Sequence, residues 1–501
     1  MGSVGNTNVV MSQSEVNSRS HSMFHLGVLG CLCIAEILSL AAIATLYRAA
    51  GKLDIASFLW SRPGILFLCL AAGTVISLCG ATYQMCTVRM HALERCRRTV
   101  AVNVVAFVGV LVLGEVGVRA FVTETLRGPV LAGVELRPYV WMEIAERFVK
   151  RAEEEQRSGQ FFVFDSILGW TVKPNSTGES EFFQNSAERV RSPRGGIGYA
   201  SSAEGVRSPR VGIEYANNNP ACRIALVGDS FVFSEESEFE KSWGHQLERG
   251  LGNRCQVLNF GVPGYGVGQM HLRYDKDVRP LHPDIVIVGF TDTVVFRTLG
   301  VYGCLTFGGY IPWPIPRYVL ENNRLKLINV PLIHPDAIYA TSSIGDLPYL
   351  PYAWNYAPNE WEMPGWQQMS RSYLFRAYVT LFPIWPKSRP EVSGEEVHTL
   401  NTALFKKIQD DIRANGAIPL LVYFPNKDDY RAPRSLSPVL QVLRKNGMDF
   451  VDLTPCLDRV DVGKRFLANG GHYTAEGEVA VAECLASSIR ENVTEANTRR
   501  T

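Results

Sequence analysis

The chain has 501 residues, a formal net charge of +1, 46% hydrophobic residues and 20% charged residues. This near-neutral balance removes the electrostatic reason to expect nucleic acid as a partner. The length leaves room for more than one domain once the hydrophobic N-terminal block is set aside.

Residues 1–22 read as a cytoplasmic tail. Three apolar stretches follow at 23–46, 63–86 and 100–122, each as long as the roughly 20 helical residues that cross a bilayer core. Together they predict a three-helix transmembrane anchor over 23–122, with the lipid bilayer as its partner. The first stretch lacks a small-residue cleavage site, which argues against a removable signal peptide. Between the second and third lie Arg89, Arg95, Arg97 and Arg98 against Glu94. The positive-inside tendency places that loop in the cytoplasm and everything after 122 in an extracytoplasmic or periplasmic space. Two carboxylates, Glu36 and Glu115, fall within spans, and Arg119 stands one helical turn from Glu115, where the two can pair.

Residues 123–219 read as a juxtamembrane helix, about 131–155, followed by a lead-in rich in turn formers, FDSILGWTVKPNSTGES. Within this region VRSPRGGIGYA, from Val190, recurs as VRSPRVGIEYA, from Val206. A single duplication is too little for a repeat architecture and reads as a loop or edge hairpin.

From 220 to 495 the pattern becomes regular. The runs RIALVG, CQVLNFG, DIVIVGF, IPLLVYFP and FVDLTP have the length and composition of buried parallel strands, with helical stretches between most of them. This alternation predicts an α/β domain with a doubly wound parallel sheet. An insertion over 299–390, rich in Trp, Tyr and Pro, is large enough to roof a site, and it carries a hairpin around Asn322 and Asn323. Cys222 and Cys255 each open a predicted strand, while Cys456 and Cys484 flank the last strand and last helix. Both pairs are candidate disulfides, with small buried hydrophobes as the other reading.

Ligands of open α/β sheets bind beyond the carboxyl ends of the strands. Ser230 follows the first of these strands, Gly261 and Gly264 follow the second in NFGVPGYG, and Thr291 and Asp292 follow the third in GFTD. His472 lies in NGGHYTAEG, before the terminal helix. Taken singly, each is an ordinary turn, cap or surface residue. Taken together, they offer the nucleophile, oxyanion donors and base of acyl-transfer chemistry. No metal is expected, because the nine histidines show no ligand spacing. GVPGYGVG lacks the lysine of a phosphate loop, so no cofactor is implied.

In order and content these segments resemble the blocks of the SGNH, or GDSL, hydrolase superfamily: GDSF at Gly228, GVPGYG at Gly261, GFTD at Gly289 and GGHYTAEG at Gly470. The resemblance spans about residues 164–489 and is similar to membrane-anchored bacterial members. It implies a flavodoxin-like sheet, with Ser230 as nucleophile and His472 as general base. The implied oxyanion donors are the backbone N–H groups of Ser230 and Gly264 and a block-three side chain. Thr291 stands where that block carries asparagine. Gly261 and Asp229 take structural turn roles. The family's acid precedes the histidine by two or three residues, where this chain has Gly470 and Asn469. Asn469 then serves as an orienting acceptor, with Asp292 or another carboxylate as a substitute if the fold brings one close.

The implied function is a membrane-anchored serine esterase, deacylase or acyltransferase acting on an acylated small molecule or polysaccharide of the envelope or exterior. The alternative is a catalytically impaired SGNH fold that serves binding or assembly in a polysaccharide system. Trp313, Trp354, Trp361 and Trp366 are candidates for stacking on sugar rings, against the commoner role of core or roof packing.

Overall fold

The computed structural model describes residues 92–500 apart from 126–127, 138–140, 159–160, 180–197, 217–219, 308–310, 355, 357–368, 382–393, 432–436 and 469–470. The described residues fall into two compact units. One comprises those of Met1–Thr123, Pro129–Pro138 and Gln368–Ile384; the other comprises those of Glu124–Gly128, Tyr139–Gln367 and Trp385–Thr501.

In the smaller unit a helix over Ala92–Phe121 covers the third apolar stretch. Its Val105, Phe107 and Leu113 are largely exposed. The first two stretches and some side chains of this helix lie outside the described residues. Among the described residues no helix is long and apolar enough to cross a membrane. Of the three-helix anchor that hydropathy predicts, only the third stretch falls among the described residues, where it is helical. The expected pair is present, with Arg119 Nε donating to Glu115 Oε1 at 2.6 Å. The same carboxylate accepts the Ser372 hydroxyl at 2.7 Å and the N–H groups of Tyr373 and Leu374 at 3.0 and 2.8 Å. It thus caps the helix Tyr373–Leu381, satisfying N–H groups that have no partner within their own helix.

A single helix over 131–155 does not form. Val130 pairs with Glu135, and Leu131 with Val134, across a turn whose Ala132 and Gly133 are left-handed (φ 50° and 82°). The helix that follows runs over Trp141–Ser158. Helical dihedrals cannot pass through a left-handed turn, and Pro138 has no N–H to offer a helix.

The larger unit is organised on an eight-stranded sheet. Its strands are β1 (Thr177–Glu179), β2 (Gly198–Ser201), β3 (Arg207–Ser208), β4 (Arg223–Gly228), β5 (Gln256–Asn259), β6 (Ile285–Phe290), β7 (Ile418–Tyr423) and β8 (Val451–Asp452), in the spatial order β8-β7-β6-β4-β5-β3-β2-β1. The strands β4 to β8 are parallel, with Ile224 opposite both Val257 and Ile285, Ile285 opposite Ile418, and Val422 opposite Val451. Their order, 2-1-3-4-5 in chain sequence, is the flavodoxin-like winding. Beyond β5 the sheet continues antiparallel, Asn259 facing Arg207, so the second duplicated copy supplies β3, which lies between β5 and β2 rather than at the sheet edge. Residues of the first copy up to 197 lie outside the described residues.

Successive side chains of a strand point to opposite faces, and here both faces are covered. Ile224 and Leu226 of β4 join Trp243, Leu247, Val481 and Leu485 of the helices Trp243–Gly250 and Ala475–Arg500. Ala225 and Val227 join Met270, Leu404, Ile408 and Leu443 of three other helices. Cys222–Cys255 ties the starts of β4 and β5, and Cys456–Cys484 ties the segment after β8 to the last helix.

Within the insertion, Asn322 and Asn323 turn a hairpin between Tyr318–Glu321 and Arg324–Leu327, both in the left-handed conformation that such turns require. Trp313 is buried against Trp170, their rings 6.1 Å apart. Trp354 packs on Phe296 at 5.5 Å. These two act as packing groups; Trp361 and Trp366 lie outside the described residues.

Candidate active site

Strand β4 lies between β5 and β6, where the winding reverses and a crevice opens beyond the carboxyl ends of the strands. Ser230 begins the one-turn helix Ser230–Phe233 directly after β4. Asp229 accepts the Phe231 N–H at 3.0 Å, so the Gly-Asp-Ser turn is closed by its own aspartate and Ser230 stands at the strand mouth. His472 comes from the segment just before the last helix. Its carbonyl accepts the Leu467 N–H at 2.8 Å, and its neighbour Tyr473 bridges to Phe466.

The two side chains meet, with His472 Nε2 2.9 Å from Ser230 Oγ. The other ring nitrogen, Nδ1, lies 3.1 Å from Glu236 Oε2, and Glu235 Oε2 is 3.9 Å from Nε2. An imidazole that donates Nδ1–H to Glu236 presents Nε2 as the acceptor for the serine proton. Ser230 and His472 are both buried, at 4% and 8% exposure, and water competes little for these bonds. Burial alone would lower the His472 pKa. The Glu236 hydrogen bond and the charges of Glu235, Glu236 and Asp229 outweigh it and lift the ring above its ordinary value.

Glu236 is the residue that motif reasoning missed. The expected acid precedes the histidine, whereas this one follows the serine, in GDSFVFSEESEFE. The signal available was the acidic pair Glu235–Glu236 so close behind the nucleophile. Asn469 lies outside the described residues. Asp292 is engaged elsewhere: it accepts the Ser437 hydroxyl at 2.6 Å and the Val439 N–H at 3.1 Å, capping the helix Pro438–Lys445. Burial raises its pKa despite those two bonds.

Thr291 also departs from expectation. Its hydroxyl donates to Asp229 Oδ2 at 2.9 Å, and Arg297 Nη1 reaches the same oxygen at 3.0 Å. The proton sought for an oxyanion is thus committed to a fully buried carboxylate, which a second unforeseen residue, Arg297, compensates electrostatically. Gly264 is left-handed at φ 85°, and a Cβ there would lie 2.7 Å from Ile311 Cδ1. Gly261 donates its N–H to Asn259 Oδ1 at 2.9 Å, and a Cβ would come within 2.5 Å of Phe233 N. Its glycine is required by close approach to the Ser230 turn rather than by positive φ.

No family model and no curated protein matches the chain. Among solved structures it is similar to the lipase/acylhydrolase from Enterococcus faecalis, at 12% identity over 54% of this chain and 96% of that one, with TM-score 0.28. It is similar also to a GDSL-like lipase from Bacteroides thetaiotaomicron VPI-5482, at 11% identity over 54% and 88% of the two chains, TM-score 0.26. A third likeness is to a catalytic mutant of the acetylxylan esterase Axe2 from Geobacillus stearothermophilus, at 12% identity over 54% and 95%, TM-score 0.29.

Proposed function

We propose that the chain is a serine acyl-transfer enzyme that cleaves an ester-linked acyl group from its substrate. The observation that carries this reading is the continuous relay from Ser230 Oγ through the His472 ring to Glu236. Serine is a weak nucleophile at neutral pH and needs a base within hydrogen-bond reach, itself oriented by a third group. Both conditions are met here.

In the proposed reaction Ser230 Oγ attacks the acyl carbonyl as His472 Nε2 takes its proton. The imidazolium so formed is held by Glu236 at Nδ1. The tetrahedral oxyanion falls to the backbone N–H groups of Ser230 and Gly264, since the Thr291 hydroxyl is already engaged. Collapse expels the alcohol, which takes its proton from His472 and leaves an acyl-serine. Water attacking that ester completes hydrolysis; an acceptor alcohol completes transfer.

We further propose that the domain acts outside the cytoplasm, anchored by the N-terminal apolar segments, on an acylated small molecule or polysaccharide of the envelope or exterior. The apolar stretches and the basic loop before residue 100 support the anchor. The two disulfides support an oxidising compartment. The substrate class rests on the motif resemblance alone. The alternative, a non-catalytic assembly role, rests on two departures, the missing acid before His472 and Thr291 in place of asparagine; Glu236 at His472 Nδ1 answers the first of them.

Labelling with a fluorophosphonate tests the reading. Full-length protein is expected to label, and Ser230→Ala and His472→Ala to lose the label. Folded protein that does not label overturns the reading.

A further inference from the structure

The turn that carries Glu236 is conformationally costly, because Ser234 and Glu236 both sit in the left-handed region, at φ 56° and 70°, without being glycine. Such a turn persists only when its surroundings over-determine it. Two buried charged side chains do so. Arg207, 2% exposed, donates Nη1 to the carbonyls of Phe233 and Ser234 at 2.6 and 2.9 Å and Nη2 to that of Ser237. Its guanidinium also lies 5.0 Å from the centre of the Phe233 ring. Glu478, 1% exposed, accepts the hydroxyls of Ser234 and Ser237 at 3.0 and 3.1 Å and the Trp243 N–H at 2.7 Å.

We infer that Arg207 and Glu478 are positioning residues for catalysis, clamping the Phe233–Ser237 turn so that the Glu236 carboxylate stays on His472 Nδ1. The inference rests on the Ser230–His472–Glu236 reading and extends it to two residues that touch neither substrate nor reacting atoms. It also gives the duplicated motif a use, since Arg207 belongs to the second VRSPR copy. Arg207 contacts backbone carbonyls on both sides of Glu235 and Glu236, while Glu478 contacts the hydroxyls of the serines that flank the same pair. Neither set of bonds is replaceable by one partner alone: three carbonyls need the guanidinium fork, and three donors need a carboxylate.

The charged groups that face the His472 ring are Glu236, Glu235 and Asp229, and all three raise its pKa. Loss of the Glu236 contact should therefore move the acidic limb of Ser230 reactivity to lower pH. That displacement separates positioning from general stabilisation, because a fold that is only less stable labels with an unshifted limb.

The test compares fluorophosphonate labelling rate against pH for folded, full-length wild type, Glu236→Gln, Arg207→Lys, Glu478→Gln and Arg207→Lys/Glu236→Gln. Arg207→Lys and Glu478→Gln are expected to slow labelling by up to about 10²-fold, the scale of a small misplacement of a catalytic group. They should shift the limb in the same direction as Glu236→Gln. The double variant should label no more slowly than Glu236→Gln, since the clamp has nothing left to position. Ser237→Ala, which removes one Glu478 bond, repeats the test if either charged variant fails to fold. A wild-type limb in the folded single variants, or full additivity in the double variant, overturns the positioning role while leaving the relay intact. Wild type that does not label overturns the relay, and the positioning role with it.

Discussion

Glu236 and His472 meet at 3.1 Å although 236 residues separate them in the chain. The acid stands in the turn that follows the nucleophile's one-turn helix, so two of the three relay members are delivered by one strand end and only the base comes from afar. A geometry of this kind makes the relay sensitive to that turn. Glu236→Gln, which keeps the shape and removes the charge, is expected to lower kcat on an acetyl ester such as p-nitrophenyl acetate by about 10²–10⁴-fold, the usual worth of oriented acid–base help. Asn469→Ala should change it little. The reverse ranking would place the orienting group in the histidine loop.

The pH profile follows from the direction of the His472 shift. Attack needs the neutral ring, and its pKa lies above the ordinary histidine value. The rate should therefore fall as pH drops through that raised value. In Glu236→Gln the limb should move to lower pH. The stability sign is opposite in use: the folded chain holds this proton more tightly than the unfolded one. The contribution is full below the unfolded value of about 6.5 and fades as pH rises through the folded value. Rates and denaturant midpoints across the same buffers check both halves.

Thr291→Val tests whether the threonine is an oxyanion donor or an Asp229 partner. Its hydroxyl donates to Asp229 Oδ2, so the expected result is a loss of about 1–3 kcal/mol in stability, as for a buried acceptor left short of a donor. The fall in kcat should stay well short of the roughly 10²–10³-fold that marks a lost oxyanion donor. Chemical denaturation and ester turnover distinguish the two outcomes.

Arg297 and Asp229 form an ion pair in which the carboxylate is fully buried and the guanidinium 18% exposed. Removing the cation strands a buried charge, so Arg297→Met should destabilise the protein by about 3–5 kcal/mol. Asp229→Asn should cost less, because the partner left behind can reach water. Melting temperatures of the two variants should rank in that order; equal losses would show that the pair contributes through packing instead.

Each disulfide closes a loop, with sequence separations of 33 and 28 residues. Chain-entropy arguments put the stabilisation from each at about 3–4 kcal/mol. Cys222→Ala/Cys255→Ala and Cys456→Ala/Cys484→Ala should each lower the denaturant midpoint, and reductant should do the same to wild type. An unchanged midpoint under reductant would mean that the cysteines act only as buried hydrophobes.

What the chain makes legible by itself is local. The runs RIALVG and DIVIVGF announce two-sided buried strands, Asn322-Asn323 announces a hairpin, and the Gly-Asp-Ser turn puts a serine at a strand mouth. Each of these follows from side-chain periodicity or from the dihedral preferences of a few neighbouring residues. The helix expected over 131–155 is broken for an equally local reason, because Ala132 and Gly133 are left-handed and turn the chain into a hairpin. The pairing of polar groups is different in kind. Nothing local distinguishes Glu236 from Asp292 as a carboxylate for His472, or tells the Thr291 hydroxyl to choose Asp229. Those choices depend on where loops from distant strands converge, and on the cost of leaving any buried charge or donor without a partner. The sheet could thus be read from the order of its apolar runs, while the acid of the relay, the fate of the threonine proton and the Arg207–Glu478 clamp were decided only when the tertiary structure brought them together.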